Sequence, residues 1–416
     1  MNALILRTRW YKMFLMCASA TNSEGLLSCY MNIFDIKHSN RKKIYFYMRE
    51  HKRATRQQIS FDLHLSVPTV TQNLEYLAQN KLLIREVSVD GRGSGRNPTT
   101  YTYVPDAKIS IGVDITRHHL KLIAIDLDGN IIKYIYRRCL YERTEEYLML
   151  LGREVDHLIA LAGIDSKRIL GVSIAVPGLV NSHRGVVIDG RVIDNTGMTY
   201  KDFGKYIRYP SRLIHDSDAS GFSEIWNSPN IHNAFYISLC NSVGGSVFIN
   251  DGVYEGDGLF SGEIGHLMLH PDGLQCYCGQ KGCMDPYCNA ELLANLADGE
   301  LHMFFERLSQ GDESLAEVWE AYLNNLAASI ISIRMLFGCP IIIGGYVGAF
   351  IKPYMNRLWN KIDNRSPFGE KSEYYVFPCK NKTESVATGA ALYYIQDFLN
   401  EAIVFDDARN VKTSVH

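Results

Sequence analysis

A histidine followed by three closely spaced cysteines constrains the fold of this chain more than any other feature. His266 precedes the run Cys276-Tyr-Cys278-Gly-Gln-Lys-Gly-Cys283, which places one imidazole and three thiols within 18 positions. Such a set can close a tetrahedral shell around Zn²⁺, and glycines at 279 and 282 let the backbone turn tightly around the ion. Because four protein ligands leave no place for an activated water, we expect a structural zinc held by His266, Cys276, Cys278 and Cys283.

The remaining cysteines bear on where such a chain works. It has ten cysteines, which in a secreted protein could form disulfides, but Cys276, Cys278, Cys283 and Cys288 fall in one short run. That clustering favours a metal site, and hence a reducing, cytoplasmic location, over disulfides or unrelated buried thiols. Cys288 is left over and is expected only to pack. No apolar stretch approaches the roughly 18 residues of a membrane span, so no membrane partner is expected.

Residues 1–34 are expected to be an N-terminal extension. Arg7, Arg9 and Lys12 precede a short apolar run over 13–20, which resembles a weak signal peptide. The run is short, and signals for DNA binding follow it. The other interpretation is an over-long gene prediction, with Met31 as the first residue.

Charge is unevenly distributed along the chain, although the net charge is only −2. Between Met31 and Pro105 twelve Lys and Arg residues face six Asp and Glu residues, and the acidic excess lies in the rest of the chain. A basic segment joined to an acidic body indicates a module that binds a polyanion.

Residues 35–105 are predicted to form a winged helix-turn-helix domain with three helices. The third helix, over 67–79, has Ser66 as its N-cap and buries Val70, Leu74 and Leu77, at spacings of four and three. Its other face is then predicted to carry the DNA-contacting residues, because short polar side chains on an exposed helix face suit the major groove. These candidates are Pro68, Thr69, Thr71, Gln72 and Asn73, with Tyr76 also directed outward.

Two strands, over 82–89 and 99–104, are predicted to flank a glycine-rich tip that carries Arg92 and Arg96. A basic, flexible hairpin tip of this kind can contact phosphates or enter a minor groove. The alternative is an ordinary helical subdomain with a solvated turn. Three helices followed by a basic hairpin favour double-stranded operator DNA as the partner.

From residue 106 to 405 strands and helices alternate, which predicts an α/β domain of two lobes with a cleft between them. Strands are expected over 109–114, 120–126, 170–176, 234–239, 245–249 and 340–343, and an amphipathic helix over 145–162.

Several motifs of this domain together resemble the ROK family of repressors, open reading frames and kinases. Gly262-Glu-Ile-Gly-His266 precedes Cys-x-Cys-Gly-x-x-Gly-Cys, and further motifs are Gly171-Val-Ser-Ile-Ala-Val-Pro-Gly178, His215-Asp-Ser-Asp-Ala219 and Ile341-Ile-Ile-Gly-Gly345. The resemblance implies a two-lobed, actin- and hexokinase-like (ribonuclease H-like) fold. It covers nearly the whole chain after residue 31, because the repressor branch also has an N-terminal winged helix.

The resemblance also implies a sugar site. The aspartate that takes a proton from the sugar hydroxyl in the kinases matches Asp216, and the asparagine before it is His215 here. The other implied sugar contacts are Glu263, His266 and Asp285, where Asp285 replaces the usual glutamate. A side chain shorter by one methylene group widens the pocket or admits a water, so the identity of the sugar stays open. Xylose, glucose, N-acetylglucosamine and phosphorylated forms all remain candidates.

The phosphate loops distinguish repressor from kinase. Where the kinases have Asp-x-Gly-Gly-Thr, this chain has Asp114-Ile-Thr-Arg-His118, and the second loop is Cys240-Asn-Ser-Val-Gly-Gly245. Side chains in place of glycines obstruct the approach of phosphate oxygens to the backbone. We therefore predict a DNA-binding repressor that responds to a sugar or sugar phosphate, is not an enzyme, and acts as a homodimer or homotetramer. The alternatives are an active ATP-dependent sugar kinase and a zinc-stabilised interaction protein.

Overall fold

The structure, a computed structural model, describes residues 39–87, 99–226, 228, 230–381 and 384–402. The chain divides into two compact units, of which unit 2 is Ile109–Ile395. Unit 1 comprises Met1–Lys108 together with Gln396–His416. The sequence placed residues up to 405 in the second domain, whereas the described residues 396–402 group with unit 1. Within that unit, Lys42 Nζ donates to Asn400 Oδ1 at 3.0 Å.

The described residues of unit 1 include three α-helices and a three-stranded antiparallel sheet. The strands lie in the order β1-β3-β2, with β3 pairing on both sides. The elements are helix α1 (39–51), β1 (Arg53–Thr55), α2 (Arg56–Asp62), α3 (Val67–Gln79), β2 (Leu83–Val87) and β3 (Thr99–Tyr103). The sequence did not predict the short strand β1.

Helices α2 and α3 each begin at a side-chain N-cap. The Thr55 hydroxyl accepts from Gln58 N at the start of α2, and the Ser66 hydroxyl accepts from Thr69 N at the start of α3. These caps satisfy amides that otherwise lack a partner in the first turn. Val70, Leu74 and Leu77 are fully buried, as their spacing predicted, so α3 is fixed by its apolar face.

Asn73 corrects the outward face that the sequence predicted for α3. Its side chain is 1% exposed, whereas Pro68 and Gln72 are exposed. Asn73 Nδ2 donates to Thr69 O at 2.8 Å, and Asn73 Oδ1 accepts from the buried Arg41 Nε at 3.4 Å. Asn73 lies three residues after Val70 and directly before Leu74, at the border of the apolar stripe, and Arg41 supplies the polar partner that burial requires.

Residues 88–98, which carry the predicted wing arginines Arg92 and Arg96, lie outside the described residues, as does the predicted extension 1–34. The described ends of the hairpin are paired, because β2 and β3 are in register from Leu83 opposite Tyr103 to Val87 opposite Thr99.

The first lobe of unit 2 is built on a five-stranded sheet of order β10-β7-β4-β5-β6. The three strands β10, β7 and β4 are parallel, and β5 and β6 complete an antiparallel meander. Every residue of β4 is buried, as expected for a central strand. The elements of the lobe are β4 (Ile109–Ile115), β5 (His119–Ile125), β6 (Ile131–Arg138), α4 (Glu145–Leu161), β7 (Ile169–Val176), β8 (Leu179–Asn181), β9 (Val186–Asp189), α5 (Tyr200–Phe203), β10 (Ser211–His215) and α6 (Asp216–Trp226).

The second lobe has a five-stranded sheet of order β13-β12-β11-β14-β15. Its core includes the fully buried Trp319 and Tyr322 of a 25-residue helix, α10. The elements are β11 (Ala234–Leu239), β12 (Val243–Ile249), β13 (Gly252–Val253), α7 (Asp285–Cys288), α8 (Ala290–Ala294), α9 (Leu301–Ser309), α10 (Glu313–Phe337), β14 (Ile341–Gly344), α11 (Gly345–Ile351), α12 (Met355–Asp363) and β15 (Val376–Pro378). The last helix, α13 (Ser385–Asp397), returns to the first lobe, where Ala390 belongs to a buried cluster with Ala175 and Ile214. The mixed α/β, two-lobed fold is the one expected from the sequence.

A search of the described helices finds none that combines the length and apolar character needed to span a membrane.

Candidate zinc centre and ligand cavity

The four predicted zinc ligands lie together in the second lobe. His266 ends a short 3₁₀ turn, Ile264–His266, and the cysteines follow on a loop held by isolated bridges between Met268 and Cys283 and between Gln275 and Lys281. The ligand atoms of His266, Cys276, Cys278 and Cys283 all lie within 4.8 Å of one another. Cys288 is buried in the core of the lobe and is not part of this cluster.

The spacing of these atoms fits a tetrahedral zinc ion. Cys278 Sγ and Cys283 Sγ are 3.8 Å apart, and Cys276 Sγ is 3.7 Å from His266 Nδ1. A tetrahedron with Zn–S bonds of about 2.3 Å and Zn–N bonds of about 2.0 Å has edges of roughly 3.8 and 3.6 Å. The donor set and its size therefore suit Zn²⁺ bound through Nδ1 of the histidine.

Gly282 makes the tight loop possible. Its φ is +80°, and a Cβ atom built there would lie 1.7 Å from the carbonyl oxygen of His270. Only glycine fits at this position, because a side chain would both strain the backbone and collide with a neighbouring chain segment.

A cavity of about 600 Å³ lies between the two lobes of unit 2 and borders the zinc loop. Its volume is in the range of small-molecule sites, about 300–1,000 Å³. Both lobes contribute polar side chains to its wall: Asp189, Arg191, His215, Asp216, Ser217, Glu263, His266 and Tyr277. The structure thus brings the predicted sugar contacts Asp216, Glu263 and His266 to one cavity.

Asp216 opens helix α6 with one of its two carboxylate oxygens already occupied. Oδ1 accepts from Ser217 N at 2.7 Å and from Ser217 Oγ at 3.4 Å, and His215 Nε2 lies 3.2 Å away. Within the part of the chain that the structure describes, the other oxygen, Oδ2, forms no such contact, and the residue lines the cavity. Oδ2 is therefore the atom that can accept a hydrogen bond from a ligand hydroxyl.

His215, which stands where the family has asparagine, is surrounded by carboxylates. Its Nδ1 lies 3.8 Å from Asp218 Oδ2, on the far side of the ring from Asp216. Burial lowers the pKa of the imidazole, but the negative charges of Asp216, Asp218, Glu263 and Glu255 outweigh that effect and raise it. The ring consequently lies at the cavity edge of β10 between two carboxylates whose negative charge favours its protonated form.

Asp285 is placed differently from the other predicted sugar contacts. It is buried, and among the described residues it is not one that lines the cavity. Its Oδ1 accepts from Val243 N at 2.7 Å, and Asn289 Nδ2 donates to its Oδ2 at 3.4 Å. Asp285, two residues after the zinc ligand Cys283, thus holds the end of the loop between β11 and β12 through its hydrogen bond with Val243 N.

The first phosphate-loop position is a closed hairpin turn between β4 and β5. Thr116 Oγ1 donates to His119 O and accepts from His119 N, both at 3.2 Å. The guanidinium of Arg117 donates to the carbonyl of Val192, a residue of the cavity wall. Both side chains that replace glycines are therefore engaged in bonds within the protein.

Asp114, near the end of β4, is a buried carboxyl group whose raised pKa makes the stability of the folded protein depend on pH. Burial raises the pKa of its carboxyl group to about 7, while Lys121, 3.9 Å away, opposes the shift and Asp216 and Glu384 add to it. Because the pKa of the folded state lies above the usual value of 3.8, the folded protein binds the extra proton. Stability should then fall as pH rises from about 4 to 7 and level off above 7.

Asp114→Asn should therefore flatten the pH dependence of the melting temperature, because the amide stays neutral. We expect the melting temperature of the variant to fall less between pH 5 and pH 8 than that of the wild type. The difference is about 2–4 °C for each kcal/mol of pH-dependent stability that the substitution removes. Thermal unfolding at both pH values measures it, with the exposed Asp257→Asn as matched control. Equal slopes in the wild type and Asp114→Asn would contradict the assignment.

Among the residues of the cavity wall that were not predicted as site residues are Asp189, Arg191 and Tyr277. Asp189 and Arg191 form a bidentate ion pair on the β9 side, with Nε 3.0 and 2.9 Å from the two carboxylate oxygens. Only Tyr277 carried a usable signal, because it lies between two zinc ligands and must share their loop.

Comparison with known proteins agrees with this arrangement. The xylose repressor of Bacillus subtilis (strain 168) is 25% identical over 264 residues, which are 62% of this chain and 67% of that protein. A putative xylose repressor of Caldicellulosiruptor sp. (strain Rt8B.4) is 25% identical over 392 residues, covering 88% of this chain and 97% of the relative. In fold, the chain is similar to a crystal structure of a ROK family transcriptional regulator, a homolog of the E. coli MLC protein. That match has a TM-score of 0.70 at 20% identity and covers 89% of this chain and 99% of the other.

The sequence model of the ROK family matches residues 110–397, more than half of the chain and nearly all of unit 2. The same residues contain the zinc cluster and the cavity described above. This chain therefore belongs to the ROK family.

Proposed function

We propose that this protein is a sugar-responsive, DNA-binding transcriptional repressor of carbohydrate-metabolism genes without kinase activity. The observation that carries the proposal is the match to a putative xylose repressor over 88% of this chain and 97% of the relative, which is too long to be confined to unit 2. A kinase needs only the second unit. The partners are then operator DNA and a sugar or sugar-phosphate effector, and paired half-sites require a homodimer or homotetramer.

Helix α3 is the element proposed to enter the major groove. Pro68 and Gln72 are exposed on it, and Thr69 and Thr71 are partly exposed. The hydroxyls of both threonines have partners close by, since Thr71 Oγ1 donates to Val67 O at 2.8 Å and Thr69 Oγ1 lies 2.8 Å from Ser66 Oγ. Gln72 therefore has the side chain best placed to read a base edge, with an amide that can bond adenine at two positions.

A binding titration tests this assignment and the proposed function together. Gln72→Ala should relax sequence preference by about 1–3 kcal/mol at one base pair. Gln79→Ala, the same change seven residues further along α3, is the control. In contrast, replacing both Arg92 and Arg96 by alanine should weaken binding to all sequences and lower the salt slope by about one unit per lost phosphate contact.

Titrations of operator and scrambled DNA at three salt concentrations separate these effects. An unchanged slope in the arginine variant would exclude a DNA contact by the wing. The complete absence of an operator preference in the wild type would refute the repressor function.

The sugar site is proposed at the cavity beside the zinc loop. Asp216 and Glu263 provide acceptors for hydroxyl groups, and zinc on Nδ1 of His266 would fix the orientation of the imidazole ring. The zinc itself would be structural and would stabilise the loop that carries Tyr277 and His266. Asp285 would act indirectly, through Val243 N.

The second candidate function, an active sugar kinase, is favoured by the presence of Asp216 in the cavity. Against it are the closed turn at Thr116 and Arg117 and the occupied amide of Val243, which Asp285 binds in the second phosphate loop. Backbone amides of such loops must be free to bind phosphate oxygens.

We therefore expect no ATP-dependent phosphorylation of any sugar in a coupled assay. Asp216→Asn serves as the control for contaminating kinases, since a trace of activity that survives in this variant does not come from the cavity. Turnover by the wild type near the range of about 1–100 s⁻¹ that is typical of kinases would contradict the prediction.

A further inference from the structure

Tyr277 occupies an unusual position for a residue of a zinc loop. It lies between the ligands Cys276 and Cys278, yet its side chain is 53% exposed and lines the cavity. Its hydroxyl oxygen lies 3.2 Å from His266 Nε2, and the two rings meet edge to face with centroids 5.2 Å apart. The tyrosine and the histidine thus line the cavity side by side, with the hydroxyl beside Nε2.

The direction of the hydrogen bond follows from the metal geometry. His266 Nδ1 points toward Cys276 Sγ, at 3.7 Å, and is the nitrogen available to zinc. A neutral imidazole that binds a metal through Nδ1 carries its proton on Nε2. Nε2–H then donates to the hydroxyl oxygen of Tyr277, and the proton of that hydroxyl is left to be donated elsewhere.

Among the described residues, no other group forms a hydrogen bond with this hydroxyl. The cavity wall also holds Arg191, whose guanidinium offers only donors. Arg191 is itself paired with Asp189. A donor that points into a polar cavity without an internal acceptor is available to an oxygen atom of a bound molecule.

We propose that Tyr277 is a specificity-determining ligand contact. Its hydroxyl accepts a hydrogen bond from Nε2–H of the zinc-held His266 and donates its own proton to one oxygen atom of a bound sugar. The inference rests on the proposed sugar-binding function and deepens it. His266 acts on the ligand through Tyr277, and the residue between the first two cysteines helps to select the sugar. The preferred ligand carries a hydroxyl group at the position that faces Tyr277, and a sugar that lacks this hydroxyl binds more weakly.

The test compares Tyr277→Phe with the wild type by isothermal titration calorimetry. The probes are D-xylose, D-glucose and N-acetyl-D-glucosamine, each with its monodeoxy derivatives. For the sugar that binds, one derivative should bind the wild type about three- to tenfold more weakly than its parent, the usual effect of one lost neutral hydrogen bond. Tyr277→Phe should bind the parent as weakly as the wild type binds that derivative, and should no longer distinguish the two.

Two controls separate contact from loop structure. Tyr374→Phe removes a hydroxyl from an exposed tyrosine outside the cavity and should leave affinity unchanged. Zinc content and melting temperature of Tyr277→Phe should match the wild type, because the ring and both neighbouring cysteines remain.

The outcomes are distinct. Undiminished affinity of Tyr277→Phe, or discrimination against the deoxy sugar that persists in it, overturns the inference while sugar binding stands. Loss of zinc from the variant also overturns it, since the hydroxyl would then serve the loop. If the wild type binds none of the three sugars or their derivatives, sugar binding by this cavity fails, and the inference fails with it.

Discussion

Replacing Cys283 by serine is expected to leave the purified protein with less than about a tenth of an equivalent of zinc, against about one equivalent in the wild type, and to lower its melting temperature steeply. The thiol is 2% exposed, and its sulfur lies 3.8 Å from that of Cys278. Structural zinc contributes about 10–16 kcal/mol in small zinc domains, so even a fraction of that value exceeds most single-residue effects.

The loss should spread from the metal into the cavity wall. Cys283 and Met268 form an isolated antiparallel β-bridge through their backbones. The next amide along the chain, Met284 N, donates to Leu267 O at 2.8 Å. Without the ion these contacts must hold a loop that otherwise lacks a core of its own. Metal analysis and thermal unfolding, each before and after chelation, provide the measurements.

Cys288→Ala is the matched control for this prediction. Cys288 is fully buried five residues further on, but it belongs to the apolar core. Its replacement should lower stability through a small cavity and leave zinc at one equivalent. If Cys283→Ser retains a full equivalent of zinc, the four residues do not form the metal site.

Asp216→Ala is expected to lower the affinity for the effector sugar by about 10- to 150-fold, the range for a lost hydrogen bond to a charged group. The substitution removes Oδ2 from the cavity. It also leaves Ser217 N and His215 without the acceptor that they share. Affinity for operator DNA in the absence of sugar should not change, because the residue lies in unit 2.

Titration of the sugar into wild type, Asp216→Ala and Asp251→Ala measures the effect. Asp251 is exposed and pairs with His232 at 3.0 Å, outside the cavity, so its removal should leave sugar affinity unchanged. Asp216→Asn keeps the shape and one acceptor oxygen and should fall between the wild type and Asp216→Ala. Equal affinities for all variants would exclude Asp216 as a ligand contact.

Features that repeat along the sequence could be predicted, and those that depend on one distant partner could not. The apolar spacing of Val70, Leu74 and Leu77 predicted the buried face of α3, and the same approach gave the central strands of both sheets. The sequence analysis placed Asn73 on the exposed face because no residue near it in sequence indicates its partner. That partner is Arg41, 32 positions earlier, whose Nε donates a hydrogen bond to the buried Asn73 side chain. Strand β1 has only three residues and therefore no periodicity.

The candidate site shows the same division. Zinc ligands are recognisable because a tetrahedral ion demands four specific donors at short spacing. Asp216 and Glu263, which the family motif singled out, do line the cavity. The motif did not reveal that Asp285 accepts a hydrogen bond from Val243 N and does not line the cavity. That difference depends on one methylene group and on where a neighbouring loop runs in three dimensions.

The grouping of residues 396–402 with unit 1 bears on how this protein is synthesised. A ribosome releases the chain from its amino end, and early domains generally fold while later ones are still being made. Helix α1, which holds Lys42, emerges some 350 residues before its partner Asn400. During that interval all of unit 2 must pass through the exit tunnel. A nascent chain halted after Ile395 therefore carries a unit 1 that lacks the segment after Ile395, so the proposed DNA-binding unit is completed only after all of unit 2 has been synthesised.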